Sequence, residues 1–168
     1  MAKYVKITTN NVPLAKSALQ AQTRALLEAW GQQGVSYAKK NITSAGRRDT
    51  GAMINSMTHV VDTGKKQVHI GTNISYAVYH ELGTGTYATS KKGRKGWWVY
   101  VAHNSGKKAK ATGKIYTKEE ALRIAAILRS KELDARVTNG IKPIHFLKKA
   151  VDEHKDVYKE IAKKYLGG

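Results

Sequence analysis

The sequence predicts an α+β chain: a small antiparallel sheet packed by long N-terminal and C-terminal helices, with extended basic loops. Three observations predict it. Apolar residues recur at helical spacing over Val12 to Ile42 and again over His145 to Leu166. Short runs such as Gln67 to Ile70 alternate apolar with polar, and Trp97 to Ala102 is aromatic and β-branched, as strands are. Between Glu81 and Glu119 there is no acid, whereas nine lysines and arginines fall from Leu82 to Lys118.

Each element follows in order. Tyr4, Val5 and Ile7 suggest a short leading strand. In the first helix Leu19, Leu26, Trp30 and Tyr37 form an apolar seam, and Pro13 fits a first turn that has no use for its missing N–H. Gly31 and Gly34 sit inside that pattern, where each costs about 1 kcal/mol against alanine; they mark a bend or the close approach of a neighbour. A helix of this extent is about 45 Å long, so one end is expected to meet another subunit. Thr43 to Arg48 is a polar loop, and Asp49 is an N-cap candidate for a short turn through Ile54. Ser56 to Val61 and Gln67 to Ile70 form a hairpin whose turn, Asp62 to Lys66, places Gly64 at positive φ. Asn73 or Ser75 caps a short helix with Tyr76, Tyr79 and Leu82 on one face, and Gly83 and Gly85 end it. Basic loops cover Tyr87–Gly96 and Asn104–Gly113, with a strand stub at Ile115-Tyr116. Thr117 and Glu120 have the spacing of a capping box opening a helix to about Lys131. Ala135 to Thr138 is one more strand and Asn139-Gly140 a turn. The last helix runs from His145 to Leu166, with Leu147, Val151, Tyr158, Ile161 and Tyr165 on one face, His154 completing the rhythm, and Gly167-Gly168 as its stop.

With 168 residues and 41% hydrophobic content the chain is long enough for one domain with a real core, taken as residues 1–168 with a basic insertion at about 86–118. Cysteine is absent, which excludes disulfide staples and thiolate chemistry. No run reaches the roughly 18 apolar residues of a membrane span, and the first residues lack the apolar core of a secretory signal. The net charge of +18 should make copies repel one another and attract polyanions.

Three blocks of sequence carry a resemblance. The first is Asp49-Thr50-Gly51-Ala52-Met53-Ile54-Asn55-Ser56-Met57. The second runs from Ile70 through Gly71, Asn73, Tyr76, Tyr79, Glu81 and Gly83 to Gly85. The third is Pro143-Ile144-His145-Phe146-Leu147-Lys148-Lys149-Ala150. In order and spacing these resemble the gene-product-ten-like family, the head–tail joining or neck and tail-completion proteins of long-tailed bacteriophages. Val78, His145 and Lys149 stand where that family commonly has proline, and Leu82 where it commonly has phenylalanine. The resemblance implies a structural protein of the virion neck, assembled in the host cytoplasm and joining head to tail as a six- or twelve-fold ring around the DNA channel. Its implied partners are its own copies, the portal-side head-completion protein, the tail-tube side and genomic DNA. No membrane, cofactor or metal enters that picture. The alternative kept beside it is a basic nucleic-acid-binding phage protein.

The residues themselves argue against an enzyme. Asp49-Thr50-Gly51 and Asp62-Thr63-Gly64 resemble aspartic-protease loops, but Arg47-Arg48 precede the first and the second lies in a lysine-flanked turn, so neither aspartate follows a burying apolar strand. The six histidines are scattered, and His80-Glu81 lacks the second histidine of a zinc helix. Gly83-Thr84-Gly85 follows a helix, where a dinucleotide fingerprint must follow a strand. Lys91, Lys92, Arg94, Lys95, Lys107, Lys108 and Lys110 flank Trp97, Trp98 and Tyr100, a mixture suited to DNA phosphates and bases or to acidic partner surfaces. Glu81, the last acid before the basic span, is expected to pair with one of its cations or with another copy. Such an exposed pair sets register more than stability.

Overall fold

A computed structural model describes residues 11–46, 51–90, 92–102, 110–111 and 113–167. The α+β reading is borne out, but the strands form two small sheets in two compact units, residues 1–73 with 147–168 and residues 74–146.

In the first unit, α1 (Val12–Ser44) is a single 33-residue helix lying over a hairpin of β1 (Thr58–Asp62) and β2 (Gln67–Gly71). His59 pairs with Ile70 and Val61 with Val68, so these four share the sheet face turned to the helix. Gly31 and Gly34 are where the layers meet. A Cβ on Gly31 would enter the His59 ring, and one on Gly34 would enter the tip of Ile70. Close approach, and not a bend, accounts for both glycines. The seam is only partly as expected: Leu26, Leu27, Ala38 and Ile42 are buried, but Leu19 is 58% exposed. Residues 47–50, including the N-cap candidate Asp49, lie outside the described residues. Gly51, at φ 77°, precedes the one-turn helix α2 (Ala52–Asn55). In the hairpin turn the residue at positive φ is Lys66, not Gly64; the Asp62 carboxylate accepts the Lys65 N–H at 2.9 Å and closes the turn.

The last helix is broken. α5 (Phe146–Asp152) and α6 (Lys155–Leu166) are separated at Glu153-His154. The Ala150 carbonyl, which a continuous helix would bond to the His154 N–H, instead accepts the Tyr158 hydroxyl at 2.9 Å. The His154 ring stacks on Tyr37 with centroids 3.5 Å apart. Trp30 Nε1 donates to the Tyr158 carbonyl at 2.9 Å, and the two rings meet edge to face. Aromatic contacts with α1 thus offset the lost helical bond.

In the second unit a central strand β3 (Trp98–Val101) pairs antiparallel with β4 (Lys110–Ala111) and β5 (Ala135–Thr138). Lys110-Ala111, expected in a loop, is therefore strand, and Ile115-Tyr116 contributes a bridge between Tyr116 and Trp97. α4 (Lys118–Arg129) covers one face, with Val99, Ala121, Ala125 and Ala135 buried and Trp97 packed beside them. The capping box forms as expected: Glu120 N–H donates to Thr117 Oγ1, and Thr117 N–H to Glu120 Oε2. α3 (Ala77–Leu82) starts at Tyr76 with no capping side chain, so neither Asn73 nor Ser75 has the expected role.

Candidate assembly interface

The Gly83-Thr84-Gly85 motif serves backbone apposition. Gly83 and Gly85 take φ of 72° and 60°, and Gly140 takes 125°. The stretches 83–86 and 139–141 run side by side: Thr84 N–H donates to the Ile141 carbonyl at 2.9 Å, Thr86 N–H to the Asn139 carbonyl at 2.8 Å, and Ile141 N–H to Thr84 Oγ1 at 2.9 Å. A Cβ on Gly83 would meet the Tyr87 carbonyl at 2.6 Å and Pro143 at 2.8 Å; one on Gly85 would enter the Asn139 carbonyl, and one on Gly140 the Thr84 carbonyl. Ile144 N–H reaches back to the His80 carbonyl at 2.8 Å, and Thr89 closes on the Leu82 carbonyl with both its N–H and its hydroxyl. The second and third sequence blocks, far apart in the chain, therefore meet as a backbone lace, with Phe146 fully buried at its end.

This lace holds α3 with its apolar side outward. Tyr76, Val78, Tyr79 and Leu82 are all exposed, Tyr79 to 53%, whereas Ala77 points in and Glu81 is half-buried. The same-face reading of Tyr76, Tyr79 and Leu82 is correct, and the face is turned outward. Gly71 ends β2, and Asn73 is exposed just after it.

Of the basic candidates, Lys91, Lys107 and Lys108 lie outside the described residues, and Lys110 is in β4. Lys92, Arg94 and Lys95 are exposed, and the Arg94 guanidinium sits 5.2 Å from the Trp98 ring. Two further cations were missed from sequence: Lys118 lies 5.6 Å from Trp97, and Lys142 5.5 Å from Tyr87. Strand alternation was the available signal, since adjacent tryptophans on a strand face opposite sides and cannot share one surface. Also missed were two depressions in the first unit. One, about 810 Å³, lies between α1 and the hairpin turn and is lined by Lys16, Arg24 and Lys66. The other, about 550 Å³, is mostly apolar, lined by Trp30, Val68, Ile70, Val151, Tyr158 and Ala162 together with the side chains of Lys155 and Lys159.

Among the described residues no group of three or more histidines and acids could hold a metal, and no helix is long and apolar enough to cross a membrane. Burial, and next the neighbouring Tyr37, raises the Tyr158 hydroxyl above the ordinary tyrosine range. Hydrogen bonds from the Thr117 backbone and then its hydroxyl lower Glu120, and the Arg136 hydrogen bond lowers Asp134.

Residues 8–83 match the family model HK97-gp10-like, described as "Bacteriophage HK97-gp10, putative tail-component". Over that stretch, a little under half of the chain, the sequence is similar to that phage tail-component family. The resemblance read from the sequence is shown there, and the match takes in α1, the hairpin and the second block up to Gly83. The third block, Pro143 to Ala150, lies beyond it. No curated protein and no solved structure matches the chain.

Proposed function

We propose that the chain is a structural component of the phage neck, where symmetric copies form a ring around the DNA channel and dock to the head-completion and portal side and to the tail tube. It acts by fitting surfaces together, without bond chemistry or a cofactor. The observation that carries this reading is the apolar face of Tyr76, Val78, Tyr79 and Leu82, held outward by a rigid backbone lace in a chain of the tail-component kind. Tyr76, Tyr79 and Leu82 share one side of the helix and Val78 is exposed beside Tyr79, and a subunit contact would cover such apolar side chains. Copies carrying +18 each repel one another, and DNA threading the ring offsets that repulsion. Electron microscopy of particles assembled without this protein tests the reading: full heads separate from full-length tails are expected, and intact infectious particles would refute it.

The basic depression at Lys16, Arg24 and Lys66 favours a second reading, a phage protein that binds DNA directly. That protein would bind free duplex tightly, with affinity falling steeply as salt rises. A neck component is expected to bind free duplex weakly and to be present in purified particles at fixed copy number.

A further inference from the structure

The depression between α1 and the hairpin turn is built on one stripe of the helix. Lys16, Gln20, Thr23 and Arg24 follow at i, i+4, i+7 and i+8, which places them on one side of α1. Thr63 and Lys66, from the turn between β1 and β2, form the opposite wall of a space of about 810 Å³. Leu19 is its one large apolar side chain. No acid lines it, and the two nearest in sequence are engaged elsewhere. Asp62 accepts the Lys65 N–H at 2.9 Å and faces the Lys65 ammonium at 4.0 Å, and Glu28 lies against His59 Nε2 at 2.8 Å. Lys16, Arg24 and Lys66 are exposed, and among the described residues no carboxylate or aromatic ring pairs with them. Cations of the second unit differ: Arg94 lies over Trp98, Lys118 over Trp97 and Lys142 over Tyr87.

We propose that this depression seats the phosphate backbone of duplex DNA, with Lys16, Arg24 and Lys66 each meeting a phosphate and Gln20 and Thr63 adding hydrogen bonds beside them. That this face lines the channel rests on the ring reading above; the seat itself is tested apart from it. A polyanion suits the depression better than a protein. A single large apolar side chain leaves a protein partner little to bury. A second copy brings the same +18 and is repelled. Lys16 and Arg24 lie about 12 Å apart along the helix axis, a length over which duplex DNA carries about seven charges. Cations at that spacing find phosphates in any register and read no sequence, so the duplex can slide past them. Three contacts hold a free duplex weakly, and a ring adds the seats of its copies on one duplex.

Fluorescence anisotropy of a short duplex of mixed sequence, titrated with the full chain across a salt series, tests the seat. Each lost phosphate contact lowers the slope of log affinity against log salt by about 0.9, so K16Q/R24Q/K66Q should lose about 2.7. Over a roughly fourfold rise in salt, wild type should then weaken about fortyfold more than this variant. The charge-conserving K16R/R24K/K66R should keep the wild-type slope. Both should melt with wild type, because all three side chains are exposed. K92Q/K95Q removes two exposed cations of the second unit and should leave the slope unchanged. An unchanged slope in the glutamine triple variant would overturn the seat. An equal loss per residue in K92Q/K95Q would also overturn it, since net charge alone would then hold the DNA. A glutamine triple variant that binds duplex as wild type does, yet drops out of purified particles, would assign the depression to an acidic protein surface and overturn it too. In each of these cases wild-type ring density in particles leaves the ring reading standing. Wild-type chain missing from particles would end the ring reading alone; a slope still lowered by the three substitutions would keep the seat, on a free DNA-binding protein.

Discussion

Replacing Gly85 by alanine separates the two demands that the Gly-Thr-Gly turn makes. The backbone sits at φ 60°, a left-handed conformation that costs an L-residue about 1–2 kcal/mol. The new methyl would also enter the Asn139 carbonyl and sit 2.6 Å from the Trp98 ring, so the two stretches must part. Overpacking of this kind costs about 1–3 kcal/mol, and loss of the Thr86–Asn139 bond about 1 kcal/mol more. The sum is about 3–6 kcal/mol. Gly46 supplies the control, because its φ is 66° and a Cβ there would meet no atom of the described residues within 4 Å. Gly46→Ala should therefore cost only the dihedral strain, about 1–2 kcal/mol. Urea unfolding of both variants, followed by circular dichroism, gives the difference directly. Equal destabilisation of the two would mean that conformation alone explains the glycine, and would refute the argument from backbone apposition.

Other outcomes follow from single contacts. Gly31→Ala should lose about 1–2 kcal/mol net, because the His59 ring is rigid and sits against Glu28 at 2.8 Å, so the clash exceeds the gain of about 1 kcal/mol in helix propensity; Gly34→Ala, which meets the movable tip of Ile70, should lie nearer zero, and thermal melts of the pair check the order. Thr117→Ala should cost about 1 kcal/mol at neutral pH. Because Glu120 is held below its ordinary range, its contribution is present above the unfolded carboxylate pKa and lost as pH falls through the lower folded one, so the gap between wild type and variant should narrow in acid without closing, since Thr117 Oγ1 still accepts the Glu120 N–H. Tyr158→Phe removes the hydroxyl that caps the Ala150 carbonyl and should cost about 1 kcal/mol, seen as faster amide exchange around His154. The raised Tyr158 pKa means stability that is complete below the unfolded tyrosine value and lost as pH rises through the folded one; above about pH 10 the variant should lack that loss.

Local rules carried the reading where one segment settles its own shape. The capping box at Thr117 and Glu120, the hairpin and the β5 strand depend on neighbours a few residues away, and all appear where the pattern put them. The reading failed where distant groups compete. Helical periodicity across His145 to Leu166 is continuous, yet the helix breaks, because Tyr158 and Tyr37 reward a break that no local pattern encodes. Lys66 takes the positive φ in place of Gly64 because an aspartate carboxylate closes the turn.

The candidate site divides in the same way. Sequence alone determined that α3 has a tyrosine face and that glycines follow it, since spacing places side chains around a helix and glycine permits the turn. It also carried the family resemblance, through residue identities at fixed intervals. Only the tertiary structure decided that residues 83–86 and 139–141 meet, that Gly31 and Gly34 lie under His59 and Ile70, and that an apolar groove opens beside α6. Periodicity reports which way a side chain points from its own element; what it meets there depends on segments tens of residues away, brought together by burial and backbone hydrogen bonding.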